Sequence, residues 1–144
     1  MSSTTSKTRK IALVSMPWSL YNRPSIQLGS LKAYLEQHGN IEVDTFHPYL
    51  EFARELGPET YQQISLKTWT GEALFGPLLF PENLEQTQKL FENCLSKTPL
   101  KRQFKKLHQT VESVSRTWFN SIDFSQYSHV GFSVCFDQLM ASLY

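Results

Sequence analysis

The stretch KIALVSMPWSLYNRPSIQLGSLKAYLEQHG, residues 10–39, decides how the chain is read. It opens on an uninterrupted apolar run, Ile11-Ala12-Leu13-Val14. A strand covered on both faces has that pattern, whereas a half-solvated strand alternates. The run therefore predicts a buried strand over Ile11–Ser15. A loop begins at Met16-Pro17-Trp18. Beyond it, Leu28, Leu31 and Leu35 recur at helical spacing with Ile26 and Tyr34 beside them. That predicts a helix whose leucines face the sheet. Pro24 suits a first-turn position, Asn22 and Ser25 are both competent caps, and Gly39 suits the position just past the end. Strand, loop and helix make the first unit of an α/β sheet. In such sheets the loop after the strand is where ligands sit.

Working outward, Ile41–Phe46 alternates Ile41, Val43 and Thr45 with Glu42 and Asp44, the pattern of a strand at the side of a sheet. The strand–helix–strand length suits a right-handed crossover, so the two strands are expected parallel. Residues 48–127 form an insertion much longer than an ordinary connection. It reads as helical. Leu84, Leu90, Phe91 and Leu95 mark one weak helix, and Phe104, Leu107, Val111, Val114 and Trp118 mark a clearer one from about Leu100 to Ser121. The apolar segment Trp69–Phe80, WTGEALFGPLLF, demands burial. His129–Cys135 is nearly uncharged and reads as a third, central strand. A second helix follows in DQLMASLY, with Asp137 near its start, where a carboxylate is favoured. The expected fold is α/β: three parallel strands in the order 2-1-3, with a helical insertion. Continuation of such a sheet past Tyr144 is expected, because strand three would otherwise show an apolar edge.

At 144 residues one domain is the natural count, and 40% hydrophobic content can build its core. A net charge of +1 argues against a generic nucleic-acid or membrane-surface binder. No apolar run approaches the roughly 18 residues of a membrane span. Residues 1–9 read as a polar, disordered leader. Cys94 and Cys135 form no CxxC pair, so neither a thiol metal site nor a disulfide framework is expected, and a reducing cytoplasm is the default location. No phosphate loop, GxGxxG, GxSxG or paired-carboxylate motif occurs.

Five separated motifs occur in order: VSMPW, RPSIQLGSLKAYLEQHG, FHPYLEFARELG, GEALFGPLLF and HVGFSVCFDQLMASL. Together they resemble the N-terminal domain of radical S-adenosylmethionine C-methyltransferases that mature ribosomally made peptides. The resemblance spans residues 10–144. It implies a Rossmann-like cobalamin-binding domain, followed in that family by a radical domain holding a four-iron cluster through CxxxCxxC. No such motif stands in this sequence, so neither the iron–sulfur cluster nor S-adenosylmethionine is expected on this chain, and no catalytic residue is assigned. The DxHxxG cobalamin signature is also missing; Asp44-Thr45-Phe46-His47 has different spacing. The resembled family commonly binds cobalamin without a histidine on cobalt.

The expected cofactor-binding residues are Ser15, Met16, Pro17 and Trp18 after strand one; Arg23, Ser25 and Gly29 at the start of the helix; and Ser133, Cys135 and Phe136 at the end of strand three. Trp18 would pack on the corrin or nucleotide tail, or else plug a turn. Arg23 beside free helix N–H groups would suit a phosphate, or else is a solvated charge. Cys135 reads as a small buried hydrophobe rather than a nucleophile. Gln27 could place an amide near the ligand. His47 is a lone histidine and a weak metal-ligand candidate. His108 falls on the apolar side of a helix and is expected to pack. Glu72 is a buried acid or, more simply, part of a solvated helix face. The alternative function is a non-catalytic interaction module of the same fold that docks a partner enzyme, a precursor peptide or a separate radical domain. A flavodoxin-like nucleotide binder fits less well, because the first loop is poor in glycine, serine and threonine.

Overall fold

A computed structural model describes residues 9–144. The leader reading of residues 1–8 lies outside the described residues, while Arg9 belongs to the first strand. β1 (Arg9–Val14), β2 (Ile41–Phe46) and β3 (His129–Phe132) form one parallel sheet in the order β2-β1-β3. β1 is the central strand, which is why its apolar run does not alternate: Ala12, Leu13 and Val14 are all buried.

The helix α1 (Ile26–Gly39) starts at Ser25, whose hydroxyl accepts from the Leu28 N–H at 3.4 Å. Ser25 rather than Asn22 is thus the cap, and Pro24 lies before the helix. At the far end Asn40, not Gly39, takes the left-handed conformation, with φ 45°. Leu28 is buried against Leu13 and Val43, with Leu35 at the margin. Leu31 is 45% exposed and Tyr34 62%, so the expected leucine face is only partly used. The reason lies in the position of α1, which packs mainly on β2. There Lys32 Nζ donates to the Val43 carbonyl at 2.6 Å.

The insertion covers the other face of the sheet. It contains α2 (Tyr49–Leu56), α3 (Pro58–Ser65), α4 (Thr70–Leu79), α5 (Leu84–Cys94) and α6 (Phe104–Asn120). A short 3-10 turn, Pro99–Gln103, precedes α6, so the long helix begins later than its periodicity suggested. α4 carries the segment expected to be buried: Thr70, Gly71 and Ala73–Pro77 are inside, while Trp69 and Phe80 stay exposed. Phe52, Tyr61, Ile64, Phe75, Phe91 and Val111 form the main core with Val14 of β1. Helices α2 and α3 had no clear periodic signal.

β3 differs from its expected form. It ends at Phe132, and Val130, Phe132 and Val134 are about half exposed rather than buried. Low charge made it look central, but only β1 lies beside it among the described residues. The opposite edge, β2, is shielded by polar groups on its flank. Lys10 Nζ lies 3.2 Å from Glu42 and 3.0 Å from Asp44, and Tyr127 donates its hydroxyl to Asp44 at 2.6 Å. The last helix, α7 (Leu139–Leu143), is short. No helix among the described residues is long and apolar enough to cross a membrane.

Candidate functional site

The carboxyl ends of β1 and β3 lie side by side, so the chain segments that leave them define one edge. After β1, the Ser15 N–H donates to the Phe46 carbonyl at 3.0 Å, keeping the loop tied to β2. Met16, Pro17 and Trp18 then turn inward and are buried. The Trp18 ring stands against Phe52, Tyr61 and Phe75, with centroids 6.2, 5.2 and 6.3 Å away. Its Nε1 is buried without a hydrogen-bond partner.

Two tyrosines of the insertion hold the loop from beneath. Tyr61 donates to the Ser19 carbonyl at 2.7 Å, and Tyr49 donates to the Arg23 carbonyl at 3.4 Å. Burial pushes both phenols above their ordinary range, so each remains a neutral donor. From the other side comes Gln138, which is 1% exposed. Its amide nitrogen donates to the Met16 carbonyl and, at 2.8 Å, to the Ser19 hydroxyl; its oxygen accepts from the Cys135 N–H at 2.8 Å. One buried side chain thereby joins the loop after β1 to the loop after β3.

Between these loops and the start of α1 lies an open cleft of about 390 Å³. That is near the lower end of the roughly 300–1,000 Å³ of small-molecule sites. Seven of the ten expected binding residues line it: Ser15, Trp18, Arg23, Ser25, Ser133, Cys135 and Phe136. They come from three separate segments, brought together by the parallel pairing of β1 and β3. Gln27 also reaches the cleft.

Three expected residues do not. Met16 turns away and borders a different hollow with Trp118, Phe119 and Tyr144. Pro17 is buried away from the cleft, and Gly29 is exposed on α1 with open space where a side chain would stand. Two further readings need correction. Trp18 is only 5% exposed, so it forms part of the cleft floor and chiefly fills the core. Cys135 is exposed in the cleft rather than buried, because β3 ends before it.

The lining is rich in hydroxyls and amides, has one guanidinium, and includes no carboxylate. Leu20, Ile26 and Phe136 give it an exposed apolar rim. Such a cleft suits a partly apolar ligand carrying hydrogen-bonding or anionic groups.

Other expected candidates lie elsewhere. The His47 Nδ1 is buried without a partner, and burial lowers the ring's pKa; the residue does not line the cleft. No group of three or more His, Cys, Asp or Glu side chains is placed to hold a metal among the described residues. His108 packs as expected, stacked on Phe104 with its Nδ1 2.9 Å from the Leu74 carbonyl. Glu72 and Asp137 exchange their expected roles. Glu72 accepts from the N–H groups of Leu139 and Met140 at 3.0 and 2.8 Å, at the start of α7. Asp137 instead accepts from the Trp69 N–H at 2.7 Å, and burial raises its carboxyl above the ordinary aspartate range.

Sequence reasoning missed Ser19, Tyr49, Tyr61 and Gln138. Gln138 had a usable signal, since it follows a strand at its carboxyl end. The tyrosines had none: they reach the loop only through the packing of α2 and α3. No family model, no curated protein and no solved structure matches the chain.

Proposed function

We propose that the chain is a cobalamin-binding domain of the peptide-maturing radical methyltransferase type, without catalytic groups of its own, working in the cytoplasm. The observation that carries this reading is the cleft itself. Residues from the loop after β1, the start of α1 and the loop after β3 meet at the carboxyl edge of a parallel sheet, where ligands of such folds bind.

The residues present fit the group as an open seat rather than an enclosing pocket. Ile26 and Phe136 are 77% and 69% exposed at the rim, where an apolar corrin face could rest. Arg23 and the Ser25 cap lie at the start of α1, suited to the phosphate of a nucleotide tail. The serine hydroxyls can bond peripheral amides. The lining contains no histidine, so cobalt would receive no imidazole from the cleft. When bound, cobalamin supplies methyl transfer through its cobalt. This chain's own residues hold and orient the group and cover part of it from water.

The test is addition of hydroxocobalamin to the purified chain. A shifted visible spectrum and co-elution of the colour on gel filtration are expected, both weakened by Arg23→Ala. An unshifted spectrum with no co-elution removes the reading.

The exposed apolar side chains of β3 favour a second reading, a non-catalytic module that docks a partner enzyme or precursor peptide through that edge. Clean cobalamin uptake together with no measurable binding to a precursor peptide or a radical domain would exclude it.

A further inference from the structure

The segment between β3 and α7 forms one lip of the cleft, to which Ser133, Cys135, Phe136 and Gln138 contribute. It is anchored at both ends. The Ser133 N–H donates to the Val14 carbonyl at 2.9 Å, and Gln138 is buried and bonded to the loop after β1. The four residues between are thinly packed: Val134 is 47% and Phe136 69% exposed. Segments with few buried apolar contacts open locally at low cost.

What ties this piece to the helical layer is a single carboxylate contact. The Trp69 N–H donates to Asp137 Oδ1 at 2.7 Å, and the rings of Trp69 and Phe136 lean together with centroids 5.4 Å apart. Both bonded residues are left-handed, Trp69 with φ 70° and Asp137 with φ 65°. That conformation is uncommon outside glycine and is an outlier for a bulky side chain. It persists only where the surroundings impose it, and such residues cluster at clamps and switches. Here each one's partner is the other. Loss of the bond lets both relax together, so the contact has two discrete states.

We propose that residues 134–137 are a strap gating the cleft at the carboxyl edge, hinged at Ser133 and Gln138 and latched by the Trp69–Asp137 bond. In the latched state the strap places Cys135 and Phe136 in the cleft wall. In the released state it swings away from α4, and the mouth of the cleft changes width. The proposal rests on the cleft being a ligand site only for its purpose; the motion is testable without a ligand.

The experiment is hydrogen exchange read by mass spectrometry on the full chain without cobalamin. Asp137→Ala should speed exchange of the 134–138 and Trp69 amides by about tenfold or more, the factor expected for losing a hydrogen bond to a charged group. Amides of β1 and α6 should keep their rates. Asp137→Asn, which retains a side-chain oxygen acceptor, should stay close to the wild type. Asp137→Gly removes the acceptor while tolerating the left-handed backbone, so it gives the same readout should the alanine variant fold poorly. Unchanged exchange in the strap of either variant that folds would overturn the latch, and so would equal acceleration of β1 and α6. Because cobalamin is absent, a failure here leaves the cofactor reading standing.

Discussion

Gly71, in the first turn of α4, lies directly against the indole of Trp18. A Cβ added at Gly71 would stand 2.1 Å from the indole Cδ1 and 2.2 Å from Nε1. The glycine is there because a tryptophan from the loop after β1 occupies the space its side chain would need. That contact joins the candidate site to the insertion. The same residue that forms part of the cleft floor is locked by helices whose sequence lies more than fifty positions away.

Gly71→Ala should therefore destabilise the fold by about 2–3 kcal/mol, the usual cost of overpacking. Gly29→Ala is the internal control, since nothing stands within 4 Å of an added Cβ there. It should be neutral or stabilise by up to about 1 kcal/mol through helix propensity. Urea unfolding of both variants checks the contrast. Equal effects would show that the Trp18 contact does not limit packing.

Gln138→Ala removes three hydrogen bonds and leaves the Cys135 N–H and Met16 carbonyl to find new partners. A loss of about 2–4 kcal/mol is expected. Gln138→Met fills the volume but makes none of the bonds, so it should recover little. A methionine variant as stable as the wild type would mean that packing, not the amide, joins the two loops.

The polar cluster on β2 predicts an acid limb in the stability profile. Tyr127 first, and Lys10 after it, hold the Asp44 carboxyl below the ordinary aspartate range. A carboxyl depressed in the folded state adds stability above its unfolded value and loses it as pH falls through the folded one. Tyr127→Phe should lower stability near neutrality by about 1 kcal/mol, discounted for the partial exposure of Asp44. It should also flatten the decline below the ordinary aspartate range. Denaturation midpoints followed from neutral to acid pH give the answer. An unchanged acid limb would refute the Tyr127–Asp44 coupling.

The same contact has an alkaline signature. Burial, then the Asp44 hydrogen bond, push the Tyr127 phenol up to about 12. A group raised on folding contributes fully below its unfolded value and loses that contribution as pH rises through the folded one. In an ultraviolet phenolate titration one tyrosine should ionise near pH 12, after the exposed ones, and it should vanish in Tyr127→Phe. A variant with the same titration curve as the wild type would assign the late step elsewhere.

The local pattern of the chain was enough for the sheet's first half. An unbroken apolar run can only be a strand covered on both faces, and β1 is that strand. Alternation in Ile41–Phe46 placed β2 at an edge, and crossover length made the pair parallel. The seven cleft residues were legible for the same reason: in a parallel sheet the positions after the strands share one edge whatever lies around them. What tertiary structure alone decided concerns who stands next to whom. Low charge cannot distinguish a strand with two neighbours from one with a single neighbour, so β3 was read as buried although half its apolar surface is open. Helical spacing marks a face of α1 without saying how wide a partner it meets, so Leu31 was expected inside and lies outside. The inward turn of Trp18, the reach of Gln138 and the meeting of Trp69 with Asp137 depend on distances between segments remote in sequence. No short-range pattern encodes those distances; they exist only once the insertion has packed against the sheet.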